Sequence, residues 1–319
     1  MKIREIYELV IAKGMENDPR GIDKVKKQLE KEKKKYEEMK EEDRKYYDTD
    51  RLANPYTDTR ILAGDPEKEV KCALVGIDME VGEVLLADRL VQRGRPIDLI
   101  ISHHPEGKAM AALHDVMHLQ EDTLAQFGVP VNVAEGIMAP RIGEVKRALM
   151  PLNHNRAVDA ARLLDFALMS THTVADNMVN TYLQKKIDDR KPETLGDLLK
   201  LLKEEHEYAE ASLTSAGPTL VLGSKERRAG KIMVDMTGGT GGSEDAYAKL
   251  SQAGVGTLVT MHIGEKHRKE AEKNHINVVI AGHMASDSLG MNLLLDQIEA
   301  GGVEIIACAG LIRHKRGRN

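Results

Sequence analysis

The sequence predicts an α/β protein with largely parallel sheets, and three observations predict it. Short apolar runs alternate with helical stretches from about residue 70 to residue 308. Three of those runs end in clusters rich in His or Asp: His103-His104-Pro105, His172 to Asp176, and His283 to Asp287. The chain has 319 residues, enough for two ordinary domains with a sizeable core.

The elements follow in order. Ile3, Ile6, Tyr7, Val10 and Ile11 sit at helical spacing and predict an amphipathic helix over residues 3–14. Asp18-Pro19-Arg20-Gly21 breaks it. Residues 22–47 are dense in Lys and Glu, with Ile22, Val25, Leu29, Tyr36, Met39 and Tyr46 on a heptad seam that Glu32 and Asp43 interrupt. Such a stripe suits a partner helix or a neighbouring subunit; the plainer reading is a solvated helix lying on its own domain. Asn54 to Asp58 is a turn. Strands are predicted at 70–79, 98–101, 129–134 and 166–170, and helices at 81–92, 110–127, 178–186 and 195–204. Residues 139–165 are helix-rich with a break at Pro151-Leu152-Asn153. After a loop at 212–218, strands are predicted at 219–223, 231–236, 256–261, 276–281 and 303–308, with helices at 244–252, 266–273 and 289–300. These shifts divide the chain into a charged helical extension (1–49), a first α/β domain (50–212) and a second (213–319). Arg313 to Arg318 reads as a frayed basic end.

Composition excludes several classes. Net charge is −5, so no basic excess points to nucleic acid. With no Trp and two Phe, base stacking is a poor binding mode. No apolar run is long enough to cross a membrane, and the first residues lack the apolar core of a signal peptide. Cys72 and Cys308, each in an apolar run, read as buried small hydrophobes rather than a disulfide. The expectation is a cytoplasmic protein.

The chemistry lies at the strand ends, where open α/β sheets place their ligands. Adjacent His103 and His104 are natural ligands for a transition metal. His172 and Asp176 are four apart, on one face of any helix that starts there; Asp176 can bridge two cations or simply favour a helix N-terminus. His283 and Asp287 repeat that spacing, and Asp287 or Ser286 also reads as an N-cap. If the three ends share one sheet edge they meet in one cleft. The ligand set is then His103, His104, Asp176, His283 and Asp287, with no thiolate. It suits Zn, Fe, Mn, Co or Ni. Five ligands are many for one catalytic ion. They suit two divalent ions about 3.5–4 Å apart, bridged by Asp176, which lower the pKa of a shared water. Gly238, Gly239, Gly241 and Gly242, between a strand and a helix, offer amides for a phosphate, or a tight turn. His262 and His267 form an outer rim or are ordinary surface residues.

These segments resemble, in order, the motifs of the Nif-three-like family, also known as GTP cyclohydrolase I type 2 homologues. His103-His104-Pro105 resembles its "THHP", His172 to Asp176 its "HTNLD", Thr237 to Ser243 its "GSGGS", and Gly282 to Asp287 its "GHYxSE". The resemblance spans about residues 50–310. It implies two interleaved α/β domains, a dinuclear metal centre between them and a ring-shaped homohexamer. It implies His103, His104, Asp176, His283 and Asp287 as ligands, and places His172 at the metals as a ligand or as support for one. The chain departs from the family in three places. Asp287 stands where the family has Glu, the family's "TGE" reads Thr260 to Glu265 here, and the N-terminal helix and the 139–165 stretch are longer.

The function that follows is a dinuclear-metal hydrolase in which a metal-activated water attacks a nucleotide or phosphate ester. His172 and Glu265 are the candidate acid–base residues. The alternatives are a metal-containing oligomeric scaffold or metal-handling protein docking through residues 22–47, and a nucleotide sensor using the glycine loop.

Overall fold

The computed structural model describes residues 1–317. The chain opens with α1 (Ile3–Glu16), α2 (Ile22–Glu38) and the short α3 (Glu41–Arg44), then β1 (Thr59–Ala63), β2 (Cys72–Gly76), α4 (Val81–Gln92) and β3 (Leu99–Ser102). Next come α5 (Gly107–Ala111), α6 (His118–Gln126), α7 (Val131–Leu149), α8 (Arg156–Leu163), β4 (Ala167–Thr171) and α9 (His172–Arg190). The rest is α10 (Leu195–Leu202), α11 (His206–Leu213), β5 (Thr219–Leu222), β6 (Lys231–Asp235), α12 (Ala246–Gln252), β7 (Val255–Thr260), α13 (Glu265–Lys273), β8 (Asn277–Ile280), α14 (His283–Ala300) and β9 (Glu304–Cys308).

The strands form two mostly parallel sheets, in the orders β1-β4-β3-β2-β9 and β5-β8-β7-β6. In each, an antiparallel edge strand (β1 or β5) flanks a parallel run. β9 lies parallel beside β2, so the chain returns to the first sheet after completing the second. Strand alternation sorts the core into layers. Ala73, Val75, Leu99, Ile101 and Met169 face inward onto α1, α9 and α14, while Leu74, Ile100 and Leu168 face outward with residues of α4 and α8. In the second sheet Val234, Val259 and Val279 face α9 and α14, while Met233, Leu258 and Val278 face α7, α12 and α13. α9 and α14 are therefore a central layer covered by both sheets.

A polar row locks the layers in register. Asn180 Oδ1 accepts from Met236 N at 3.0 Å. Gln184 accepts from Val234 N at 2.9 Å and donates to Ile232 O at 3.2 Å. These α9 side chains satisfy the otherwise open edge of β6.

Three expectations are corrected, and one strand was not foreseen. Residues 129–134 are not a strand: Val131, Val133 and Ala134 open α7, whose buried Ala134, Met138, Ile142 and Val145 have helical spacing. The alternation of valines mimicked a strand. Residues 22–47 do not form one continuous helix: α2 ends at Glu38 and within this chain buries only Val25. The C-terminal basic residues do not fray over the described part, to which Arg318 does not belong. Arg313 pairs with Asp296 and Glu299, and Arg316 with Glu205 and Glu207. β1 was not expected. Its Arg60 is fully buried, held by Asp48 and the carbonyls of Tyr56 and Thr59, and an arginine there hides a strand from hydrophobic patterning. No described helix is long and apolar enough to cross a membrane.

Candidate metal centre

Three strand ends build the site. β3 runs directly into His103 and His104, β4 into the first turn of α9, and β8 into Gly282 and the first turn of α14. His172 and Asp176 lie one turn apart on α9, and His283 and Asp287 one turn apart on α14. The two helices cross closely enough that a Cβ on Gly290 would lie 2.4 Å from the Ala175 carbonyl oxygen. That contact brings the two His/Asp pairs together between the sheets.

The donor atoms converge. His103 Nε2 lies 3.4 Å from Asp176 Oδ1 and 3.5 Å from Asp287 Oδ1. Asp287 Oδ2 lies 3.5 Å from both His104 Nε2 and His283 Nε2. His172 Nε2 lies 3.7 Å from Asp176 Oδ2. Three overlapping groups have the compactness of an ion's ligand set: His103/His104/His172, His104/His283/Asp287, and His103/Asp176/Asp287. His103, His104 and Asp287 each belong to two of them.

Two carboxylates fix the outer nitrogens. Asp58, fully buried, accepts from His172 Nδ1 at 2.8 Å and from Thr173 Oγ1 at 2.6 Å. Asp78, just beyond β2, accepts from His104 Nδ1 at 2.6 Å. Each bond turns a free Nε2 lone pair toward the cluster, the tautomer a metal ligand needs. Sequence reasoning missed both. Asp58 sat in a segment read as a turn, although Asp78 at a strand end carried the same signal as the histidines.

The electrostatics match a cation site. Burial pushes His103 down to about 4, so its imidazole is neutral at pH 7. Burial also pushes the Asp176 carboxyl up to about 8, with Asp287 and Asp58 adding to it against His172. For Asp287 burial acts upward too, but the surrounding imidazoles outweigh it and hold the group well below the usual carboxylate range. His103 Nδ1 and Nε2, Asp176 Oδ1 and both Asp287 oxygens are buried without a hydrogen-bond partner. Leaving such groups unpaired costs about 1–3 kcal/mol each. A divalent ion among them removes that cost, so the donor set fits the metals that imidazole and carboxylate favour.

The other candidate residues lie apart from this donor cluster. Glu265 opens α13, is exposed and is paired with Arg268. The glycine loop packs on α6, where Gln120 Nε2 donates to the carbonyls of Gly238 and Thr240 at 2.7 and 2.6 Å. Gly238 and Gly239 have φ of 94° and 86°, and a Cβ on Gly238 or Gly242 would collide with Gln120. A Cβ on Gly241 meets open space. Thr237 donates to Asn177, the neighbour of Asp176, at 2.6 Å, which ties the loop to the centre.

No family model matches the chain, and no curated protein matches it. Among solved structures, a NIF3 superfamily protein from Sphaerobacter thermophilus is 24% identical, with a TM-score of 0.70 over 80% of this chain and 92% of the other. Reduced HcgD from Methanocaldococcus jannaschii is 16% identical, with a TM-score of 0.52 over 80% of this chain and 90% of the other. With its two mostly parallel sheets and their shared helical layer, the chain has the fold of the NIF3 superfamily.

Proposed function

We propose that this protein is a dinuclear-metal hydrolase of the Nif-three-like family, acting on a nucleotide or phosphate ester. The observation that carries the reading is the set of buried, unpaired donor atoms at the meeting point of three strand ends. The ligands are His103, His104, Asp176, His283 and Asp287. Asp176 and Asp287 would be the carboxylates available to both ions, the two oxygens of Asp287 facing different histidines. When bound, two such ions acidify a shared water and clamp the oxygens of a hydrolytic displacement.

The chain's own residues do the rest. Asp78 and Asp58 orient His104 and His172 so that each Nε2 faces the cluster. His172, buried beside Asp176, is the residue able to hold a proton at the inner wall. The His104 and His283 side chains are 26% and 39% exposed, whereas those of His103 and Asp287 are each 1% exposed, so a ligand enters past the former pair. The glycine loop, tied to the centre through Thr237 and Asn177, would offer its amides to a phosphate of the ligand. In this reading the protein works as a homo-oligomer.

The test is a hydrolysis screen of the protein as purified, with nucleoside triphosphates and phosphate monoesters, run beside Asp176→Asn. Turnover of one class, reduced at least a hundredfold in the variant, is expected. Turnover unaffected by Asp176→Asn contradicts the mechanism. Metal at full stoichiometry with no turnover of any substrate favours the scaffold or metal-handling role instead.

A further inference from the structure

His262 stands where the open side of the centre ends. It follows β7, the strand beside β8 in the second sheet, as His103 and His104 follow β3, the strand beside β4 in the first. The β4 and β8 ends carry the two His-x-x-x-Asp pairs, so both halves send imidazoles to the centre from the same topological position. The His262 ring centroid is 5.0 Å from that of His283. Within the centre the spacings are 5.0 Å for His103 and His172, 5.2 Å for His103 and His104, and 5.3 Å for His104 and His283. His262 thus extends an unbroken row of imidazoles from the buried wall to solvent.

Its surroundings differ from those of the ligands. The residue is exposed, while Thr260 Oγ1 donates to its carbonyl at 3.3 Å and fixes the backbone. No carboxylate orients its ring among the described residues, unlike His104 and His172. Nor does it belong to any of the three compact donor groups. On the far side of the rim, burial and then the positive charge of Arg141 act on His267, against Glu244. Arg141 Nε donates to the carbonyl of Gly241 at 3.0 Å, which places a guanidinium on the glycine loop. Two carboxylates near this rim are engaged, Glu144 by Arg141 and Glu265 by Arg268. The opposite lip carries Asp78, on His104. The glycine-loop side thus carries Arg141 and exposed imidazole, with Glu144 and Glu265 taken up by arginines.

We infer that His262 is a substrate-contacting residue, whose ring N–H receives an anionic phosphate group of the ligand on the glycine-loop side of the mouth. This rests on the metal-centre reading above and adds what recognises the ligand. Its role is specificity rather than ion binding.

The experiment uses full-length protein as purified and inorganic phosphate as the probe, by isothermal titration calorimetry at low ionic strength. Wild type, His262→Ala and His262→Gln are compared, with metal content measured on the same samples. Unchanged metal content, a phosphate Kd raised about tenfold in His262→Ala and partial recovery in His262→Gln are expected. Equal phosphate affinity in wild type and His262→Ala overturns the inference, as does wild-type protein that binds no phosphate. Metal loss in His262→Ala overturns it too, by making His262 a support of the ion. A wild type that carries no metal overturns the functional reading alone, because the phosphate comparison still decides the role of His262.

Discussion

Asp58 belongs to none of the strand-end clusters, yet it orients the histidine at the back of the site. Outer carboxylates of this kind are worth about 10–100-fold in metal affinity. Asp58→Asn is expected to weaken metal retention by that factor in a chelator competition, with the far-UV circular dichroism unchanged. The residue was illegible in the sequence because an Asp after Asn54-Pro55-Tyr56-Thr57 looks like any turn residue, and only the tertiary fold shows its partner. The histidines were legible because adjacent imidazoles at the end of an apolar strand have few structural uses. A second carboxylate makes a different prediction. Asp235 ends β6 beside Tyr247, and burial alone pushes it up to about 6. The folded state then keeps a proton that the unfolded state releases near pH 4. Its contribution to stability is full below about pH 4 and is lost as the pH rises through about 6. Asp235→Asn is expected to abolish that decline and to be the more stable protein at pH 7, as read from urea midpoints across this range.

α9 and α14 show why the sequence placed the site helices late. Their first turns are rich in His, Thr, Ser and Asp and lie in the layer between the sheets, and a helix buried nearly all round shows no amphipathic stripe. Patterning therefore began α9 at Met178 and α14 at Leu289, although both begin at their metal-facing histidines. The strands between them were legible, since they are short, apolar and alternately packed. β1 was not, because Arg60 interrupts its pattern. The crossing of the two helices depends on Gly290. Adding a methyl there against the Ala175 carbonyl forces the helices apart, and overpacking of this kind costs about 1–3 kcal/mol. Gly290→Ala is expected to lower the melting temperature and to weaken metal retention together, because Ala175 precedes Asp176. A lower melting temperature with metal retention intact would show that the crossing does not position the ligands.

At the scale of the whole molecule, each sheet follows one plan: an antiparallel edge strand, then the strand that launches a His-x-x-x-Asp helix, then further parallel strands. The centre sits where the two plans meet, so neither sheet holds the ligand set alone. Repeated β-α alternation made the parallel sheets readable. The return of β9 to the first sheet was not fixed by any local pattern, because an apolar strand fits either sheet equally well. Ions that bind only the folded chain add to its stability. The central claim is that this meeting point holds two of them. Elemental mass spectrometry, on protein purified without chelators or an affinity tag, tests it most directly. About two equivalents of Zn, Fe, Mn, Co or Ni per chain, lost in the His103→Ala/His104→Ala double variant, is the result the account predicts. Substoichiometric metal that the double variant leaves unchanged would contradict it.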